Sequence, residues 1–541
     1  MRFMLVRQAL VAAILLGVVA PASAQLQDAG QQKCLLATSS AASKLAKTSA
    51  KEFARCLKSA ASGTLAGCSA EDCVASDAGG KVDDALTKLR EAAADSCRVA
   101  PDFGHRHPSF VGSVVVRETI GLLDDVLGPD LDAATVPKSE DARAAACQGK
   151  AVKAVTKLGL SMSALYDACR KAAVKTATSA DDLAGCLAAI DADAQGKVDS
   201  ALQSLAGAVA GTCEGVDLAT VFAGSCAAAP DLAACVEERA RCRACRRARG
   251  SDGLDVDCEI FDNGAADGTC SGQTGRCNGR AALCERAFDA VAYATTHNAY
   301  SNAEESWTAP NQRYGLTRQL SEGVRSMMLD TYEFEGGLYF CHGSCTIGTG
   351  DNIGRSSMVQ GLVELRQYLE AHAGAVLSII FESYISEAQT QQAFTDAGLM
   401  PYLHAQPVGQ PWPSLQQLVD AGTRLIVFTD DSAASAPWHH YVWDFAWETP
   451  YSFQSADDFV CSINRGDYDN SLYILNHFLT DPVGSPQLAN KVNKNPLFID
   501  RALQCQSESG RLPNFVTVDF YDIGHVFDVV GALNGFGRCT P

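Results

Sequence analysis

Eight short apolar runs, each rich in β-formers and closed by a polar residue, constrain the second half of this 541-residue chain more than any other feature. They are FDAVAYATT before His297, VRSMML before Asp330, LYFC before His342, and then VLSIIFE, RLIVFTDD, YVWDFAWE, LYILNHF and FVTVDFYD. Helical patterns such as MVQGLVELRQYLEAH, AQTQQAFTDAG and LANKVNKNPLFIDRALQ separate several of them. Alternating strand and helix signals predict a parallel sheet, and eight strands predict an α/β fold, a (β/α)8 barrel of the TIM type over residues 286–541. Such barrels carry their working side chains at the C-terminal ends of strands. The residues closing the runs should therefore converge on one mouth: His297 with Asn298, Asp330, His342, Glu382, Asp430 with Asp431, Asn476 with His477, and Asp519. Arg424 opens its run instead, so it should lie at the opposite end and serve stability. Two histidines facing one cavity suit proton transfer near neutral pH.

Residues 1–24 carry Arg2 and Arg7, an apolar run from Ala9 to Ala20, and Ala22-Ser23-Ala24 before Gln25. That pattern predicts a secretory signal peptide. No later segment reaches the length of about 18 apolar residues that spans a bilayer. The cleaved chain is thus expected to be secreted, periplasmic or at the cell surface, with no transmembrane anchor. All 22 cysteines follow the leader, and an even number in an exported chain predicts disulfides. Formal charge is −19, becoming −21 once Arg2 and Arg7 leave. So acidic a chain excludes nucleic acid and any general attraction to anionic membranes, and a grip on phosphate has to come from a local site.

Residues 25–215 read as a separate all-α domain, rich in Ala, Lys, Ser and Leu, with apolar positions every three to four residues. The domain is duplicated: Cys34, Cys56, Cys73 and Cys97 recur in order as Cys147, Cys169, Cys186 and Cys213, and GKVD at Gly80 recurs at Gly196. Folding each copy back as an αα-hairpin pairs Cys56 with Cys73, Cys34 with Cys97, Cys169 with Cys186 and Cys147 with Cys213. Cys68 has no counterpart, so its partner lies elsewhere. No cluster of chemical groups appears here, which favours a structural stalk over a binding module. His105 and His107 in FGHRHP lack neighbours at ligand spacing and read as a solvated pair. Residues 216–285 crowd eight cysteines into a disulfide-knit linker, where CRAC superficially resembles a metal pair and DVDCEIFDNGAADGTC a calcium loop lacking its terminal glutamate.

The motifs THNAY, GVRSMMLDTYEF, CHGSC, VLSIIFESY and PNFVTVDFYD resemble the catalytic X-domain of phosphatidylinositol-specific phospholipase C in its secreted, single-domain form, over residues 288–534. The resemblance implies a PLC-like phosphodiesterase barrel acting on a phosphoinositide or related phosphodiester lipid, in transient contact with a membrane surface. It gives His297 and His342 the acid and base parts. One removes the proton of the inositol 2-hydroxyl, which attacks the adjacent phosphodiester; the other protonates the departing diacylglycerol oxygen, leaving a cyclic inositol phosphate. Which histidine is the base stays open. Asp519 would orient an imidazole or bind a sugar hydroxyl.

Calcium-dependent members of that family carry Asn after the first histidine, Glu and Asp flanking one residue after the second strand, and Glu after the fourth. Asn298, Asp330 and Glu382 match this pattern, while Met328 stands at its first acidic position. No arginine replaces the cation at Asp330, so Ca2+ is the expected cofactor. Cys341 and Cys345 bracket His342, and a local disulfide would stiffen that loop. Trp438, Trp443, Trp447 and Tyr451 read either as a rim touching sugar or lipid or as barrel packing. A glycerophosphodiester phosphodiesterase or phospholipase D-like enzyme on the same barrel is the enzymatic alternative, although the HRG opening of the former is absent. A catalytically idle barrel used for binding is the alternative of another class.

Overall fold

The computed structural model describes residues 26–270, 272, 275–346 and 354–539; the leader at 1–24 lies outside them. Eleven strands form one mixed sheet: β1 (Tyr293–Thr296), β2 (Ser326–Phe334), β3 (Gly337–Cys341), β4 (Arg355–Ser357), β5 (Leu377–Tyr384), β6 (Leu425–Thr429), β7 (His439–Tyr441), β8 (Ala446–Glu448), β9 (Arg465–Gly466), β10 (Leu472–Asn476) and β11 (Phe515–Val518). Eight of these run parallel in the order β7-β6-β5-β2-β1-β11-β10-β8. The first strand pairs with the last, Tyr293 opposite Phe515, so the sheet curls into a TIM-like barrel. No pairing joins β7 to β8 among the described residues, which leaves one open seam.

The eight barrel strands differ from the eight apolar runs in two places. LYFC is not a barrel strand: β3 folds back antiparallel on the extended end of β2, with Thr331 opposite Phe340. YVWDFAWE supplies the replacement, because a 3-10 turn at Val442–Asp444 divides it between β7 and β8. Four residues between strands are too few for a helical crossover, which explains why the barrel opens there.

Alternation along each strand sorts side chains between two cores. Tyr293, Ile380, Ile426, Phe428, Leu472, Ile474 and Phe515 fill one cluster with Phe288 and Trp412. Their neighbours Ala294, Ile379, Phe381, Val427, Tyr473, Leu475 and Val516 pack in the other cluster with Leu362, Leu365, Phe394, Phe498 and Val529 of the surrounding helices. The first set therefore lines the barrel interior and the second faces the helical layer.

The N-terminal helices Ala29–Ala61 and Lys81–Ser96 recur as Ala142–Ala173 and Lys197–Ala210, with helix Pro108–Leu127 between the two copies. All four disulfides read from the repeat are present: Cys34–Cys97, Cys56–Cys73, Cys147–Cys213 and Cys169–Cys186. Helix Leu232–Asp252 joins the same core through Val236, Ala240, Ala244 and Ala248. Both CRAC cysteines are in disulfides, Cys242 with Cys270 and Cys245 with Cys258, so they hold no metal as thiolates. His107 caps helix Pro108–Leu127 by accepting from the Ser109 amide. That helix fastens the halves together, since Phe110 and Val114 pack into the barrel's outer core. Cys68 finds Cys539, near the end of the chain, so a covalent tie spans both halves.

Candidate active site

Parity builds the site. A residue two or four positions beyond an interior residue again points inward, so Tyr293 predicts His297, Met328 predicts Asp330, Ile380 predicts Glu382, and Phe515 predicts Asp519. In the same way Phe428 leads to Asp430 and Ile474 to Asn476. These residues close their strands at the C-terminal end, on one side of the barrel.

His297 is the most constrained of them. Its Nδ1 lies 2.9 Å from Asp519 Oδ1, its ring stacks on Phe478 at 4.1 Å and 9°, and its carbonyl accepts from Gln312 Nε2. A carboxylate only accepts, so Nδ1 carries the proton and Nε2 is left as the basic nitrogen. Asn311 Nδ2 donates to the same Asp519 oxygen at 3.1 Å. Burial disfavours the charged imidazole, but the carboxylates of Asp519, Asp330 and Glu382 outweigh it and hold its pKa above the usual value.

Asp330 and Glu382 face each other across β2 and β5 as register partners. Asp330 is buried, and burial together with the Glu382 charge raises its pKa to about 7. Two carboxylates side by side without a cation form an unfavourable pair, and a bound cation relieves it. Asn298 adjoins them from a left-handed backbone position, φ 44°. Tyr300 ties the region together, donating to Asn298 Oδ1 at 3.2 Å or to the Cys341 carbonyl at 3.0 Å. Asn298, Asp330 and Glu382 thus offer oxygen donors of the hard kind that calcium selects. Met328 packs inward with the interior core and supplies none.

His342 arrives by a different route from its expected one. It follows β3, the hairpin strand that returns to the mouth, and the Cys341–Cys345 disulfide closes its loop. Burial, followed by the charge of His297, pushes its pKa below the usual value. The two imidazoles are thus driven in opposite directions.

Other polar residues sort unevenly. Asp430 accepts from the Ser383 amide at 2.9 Å, and Asn476 donates to Glu448 Oε2 at 3.0 Å. His477 is not at the mouth: parity turns it outward, fully buried, flat on Phe498 at 3.8 Å and near the Val492 carbonyl and Arg501. Arg424 lies at the opposite end as expected, donating to the carbonyls of Leu369, His372 and Ala375. The four aromatics divide: Trp447 and Trp438 are buried packing, whereas the Arg465 guanidinium lies over Trp443 and the half-exposed Tyr451. Strand patterning does not single out Tyr300, Asn311, Phe478 or Glu448, although Tyr300 stands inside THNAY.

Residues 283–534 match the model of the PI-PLC X domain family, described as PI-PLC X 1. Among curated relatives, a PI-PLC X domain-containing protein of Arabidopsis thaliana is 30% identical over 278 residues, covering 47% of this chain and 63% of the relative. An uncharacterized secreted protein of Arthroderma benhamiae is 26% identical over 296 residues, 49% of this chain and 65% of its own. A PI-PLC X domain-containing protein 1 of the same fungus is 26% identical over 283 residues, 48% of this chain and 89% of its own. The chain therefore spans less than two thirds of the length of the first two. No helix among the described residues is long and apolar enough to cross a membrane.

Proposed function

We propose that the barrel mouth cleaves phosphatidylinositol-type lipids by two-histidine acid–base catalysis. The observation that carries this reading is the His297–Asp519 dyad set beside the Asp330–Glu382 carboxylate pair, with His342 presented to the same mouth. Asp519 fixes the imidazole tautomer, so Nε2 of His297 takes the proton of the inositol 2-hydroxyl. The freed oxygen forms a bond to phosphorus, the bond from phosphorus to the diacylglycerol oxygen breaks, and that oxygen takes its proton from His342. The products are a cyclic inositol phosphate and diacylglycerol. The tautomer fixed by Asp519, which leaves Nε2 of His297 as a lone pair, supports giving the base part to His297 and so the acid part to His342.

Asn298, Asp330 and Glu382 are the residues that would hold Ca2+, with substrate oxygen and water completing the shell. The cation, when bound, neutralises charge developing on the phosphoryl oxygens. Tyr384, 56% exposed, and Tyr451, 43% exposed, give the molecule amphipathic rings suited to brief contact with a lipid surface. Export through the 1–24 leader belongs to the same proposal, supported by eleven disulfides among the described residues and by a relative described as secreted.

The test is direct. The mature protein is incubated with phosphatidylinositol, glycerophosphoinositol and lysophosphatidylcholine, and phosphorus products are identified by NMR. Cyclic inositol phosphate from phosphatidylinositol is the expected product. Turnover confined to either of the other two diesters, or none at all, would overturn the reading.

A further inference from the structure

A cavity lies between the helical half and the end of the barrel opposite the mouth, and nothing in the chemistry above uses it. It measures about 440 Å³, within the range of roughly 300–1,000 Å³ common for small-molecule sites. Helix Pro108–Leu127 contributes Ser109 and Arg117 to its wall. The barrel contributes Arg325, just before β2, and His372, Gly374 and Ala375 ahead of β5. Because these barrel residues precede their strands, the cavity sits at the end opposite the mouth.

Its charge contrasts with a chain of net −19. Six arginines line it: Arg55, Arg90, Arg117, Arg276, Arg280 and Arg325. Most are neutralised, Arg55 by Glu52, Arg90 by Glu322, Arg276 by Asp124 and Arg280 by Asp72. Arg325 has no carboxylate partner among the described residues, its Nη1 donating only to the carbonyls of Leu320 and Val324. Arg117 reaches Glu118 through Nη2, while its Nε and Nη1 have no partner.

His372 adds an acceptor. Its Nδ1 is 3.0 Å from the Tyr368 carbonyl and so carries the proton, which leaves Nε2 as an unpartnered lone pair. Ser109 Oγ is likewise unpartnered, and both residues are more than nine-tenths buried. Asp77 and Asp83 line the far side of the cavity, Asp77 accepting from the amides of Val82 and Asp83. Unsatisfied donors and acceptors of both kinds, gathered round a cavity of this size, are unfavourable until something pairs with them.

We propose that this cavity binds a small anion that also carries hydroxyl groups, of the polyol phosphate or hydroxy-acid class. Arg117 and Arg325 hold its anionic group, and His372 and Asp77 accept from its hydroxyls. A molecule seated there touches both halves and so stabilises their union.

The test uses the full disulfide-bonded mature chain in isothermal titration calorimetry and thermal melts, with glycerol 3-phosphate and citrate as separate probes. Saturable one-to-one binding with a raised melting temperature is expected for at least one probe, and which one tells phosphate from carboxylate. His297→Ala should leave the binding intact, because the mouth is elsewhere. Arg325→Gln should weaken it about tenfold or more, the loss of one charge-assisted contact. If that variant does not fold, Ser109→Val takes its place, and it should weaken binding by filling the wall and removing the hydroxyl. No saturable heat with either probe would overturn the proposal. So would binding abolished by His297→Ala, or affinity unchanged in the cavity variant that folds.

Discussion

Both halves of the molecule bury charge, and they do so to different ends. In the helical half, Arg170 donates to Asp252 through Nε and Nη2 at 2.6 and 2.8 Å, Tyr166 donates to the same carboxylate, and Arg243 clasps Asp125 and Glu118. Arg170 and Arg243 each have their anions, and the pKa of Arg170 moves further from neutrality. At the barrel mouth the balance is missing: Asp330 and Glu382 crowd each other, and His297 and His342 are pushed apart. Buried charge by itself marks structure; buried charge left poised near neutral pH marks a place where protons and cations can be exchanged.

The sharpest way to break that comparison is to delete one member from each half. His297→Ala should lower phosphatidylinositol cleavage by about 10²–10⁴, the usual worth of a positioned acid or base, and leave the melting temperature nearly unchanged. Arg170→Ala should do the reverse, costing about 3–5 kcal/mol of stability by stranding Asp252, with the folded fraction keeping its turnover. Paired assays of cyclic inositol phosphate release and thermal unfolding check both. If Arg170→Ala abolished turnover while the protein stayed folded, the division between halves would fail.

Much of this division was legible in the residues. Apolar runs closed by polar residues gave the barrel and most of its mouth, because strand parity carries a side chain's direction through to the residue after the strand. The same parity, applied one position at a time, also separates Asn476 from His477, which run together as a closing pair in LYILNHF. Repeated cysteine spacing gave four disulfides, since helical hairpins bring equally spaced residues together. What stayed hidden depended on distant partners: Cys539 for Cys68, Asn311 for Asp519, Phe478 for the His297 ring. LYFC misled because a short apolar run reads alike whether its strand pairs parallel or antiparallel.

A second comparison sets Asp519 against its own removal. Cleavage should follow a bell in pH, one limb below 6.5 from His342, whose pKa is lowered, and one above 6.5 from His297, whose pKa is raised. Asp519→Asn removes a charge that favours the imidazolium, so the alkaline limb should move toward lower pH while the acid limb holds. The maximal rate should fall about a hundredfold as the tautomer is released. A pH–rate profile with both limbs unmoved would detach Asp519 from His297.

The carboxylate pair is tested by calcium. A chelator should stop turnover and added Ca2+ restore it, and Glu382→Gln should raise the calcium needed for half activity by about tenfold. Undiminished turnover in chelator would show that Asp330 and Glu382 relieve their crowding by a proton instead.

The smallest effect expected is at Gly484, and it asks how tightly the dyad is held. A Cβ built there would lie 2.2 Å from Asp519 Oδ2 and 3.1 Å from Asn311 Nδ2, and the nearer contact is closer than real atoms allow. The atom in the way is the end of a side chain, so Asp519 moves while the backbone stays. Gly484→Ala should therefore leave the melting temperature almost unaltered. Displacing the carboxylate lengthens its bond to His297 Nδ1, which should lower the rate by less than about tenfold and shift the alkaline limb in the same direction as Asp519→Asn, by less. A loss of rate with the limb unshifted would mean that the added methyl obstructs the substrate, and that the glycine serves the mouth by leaving space.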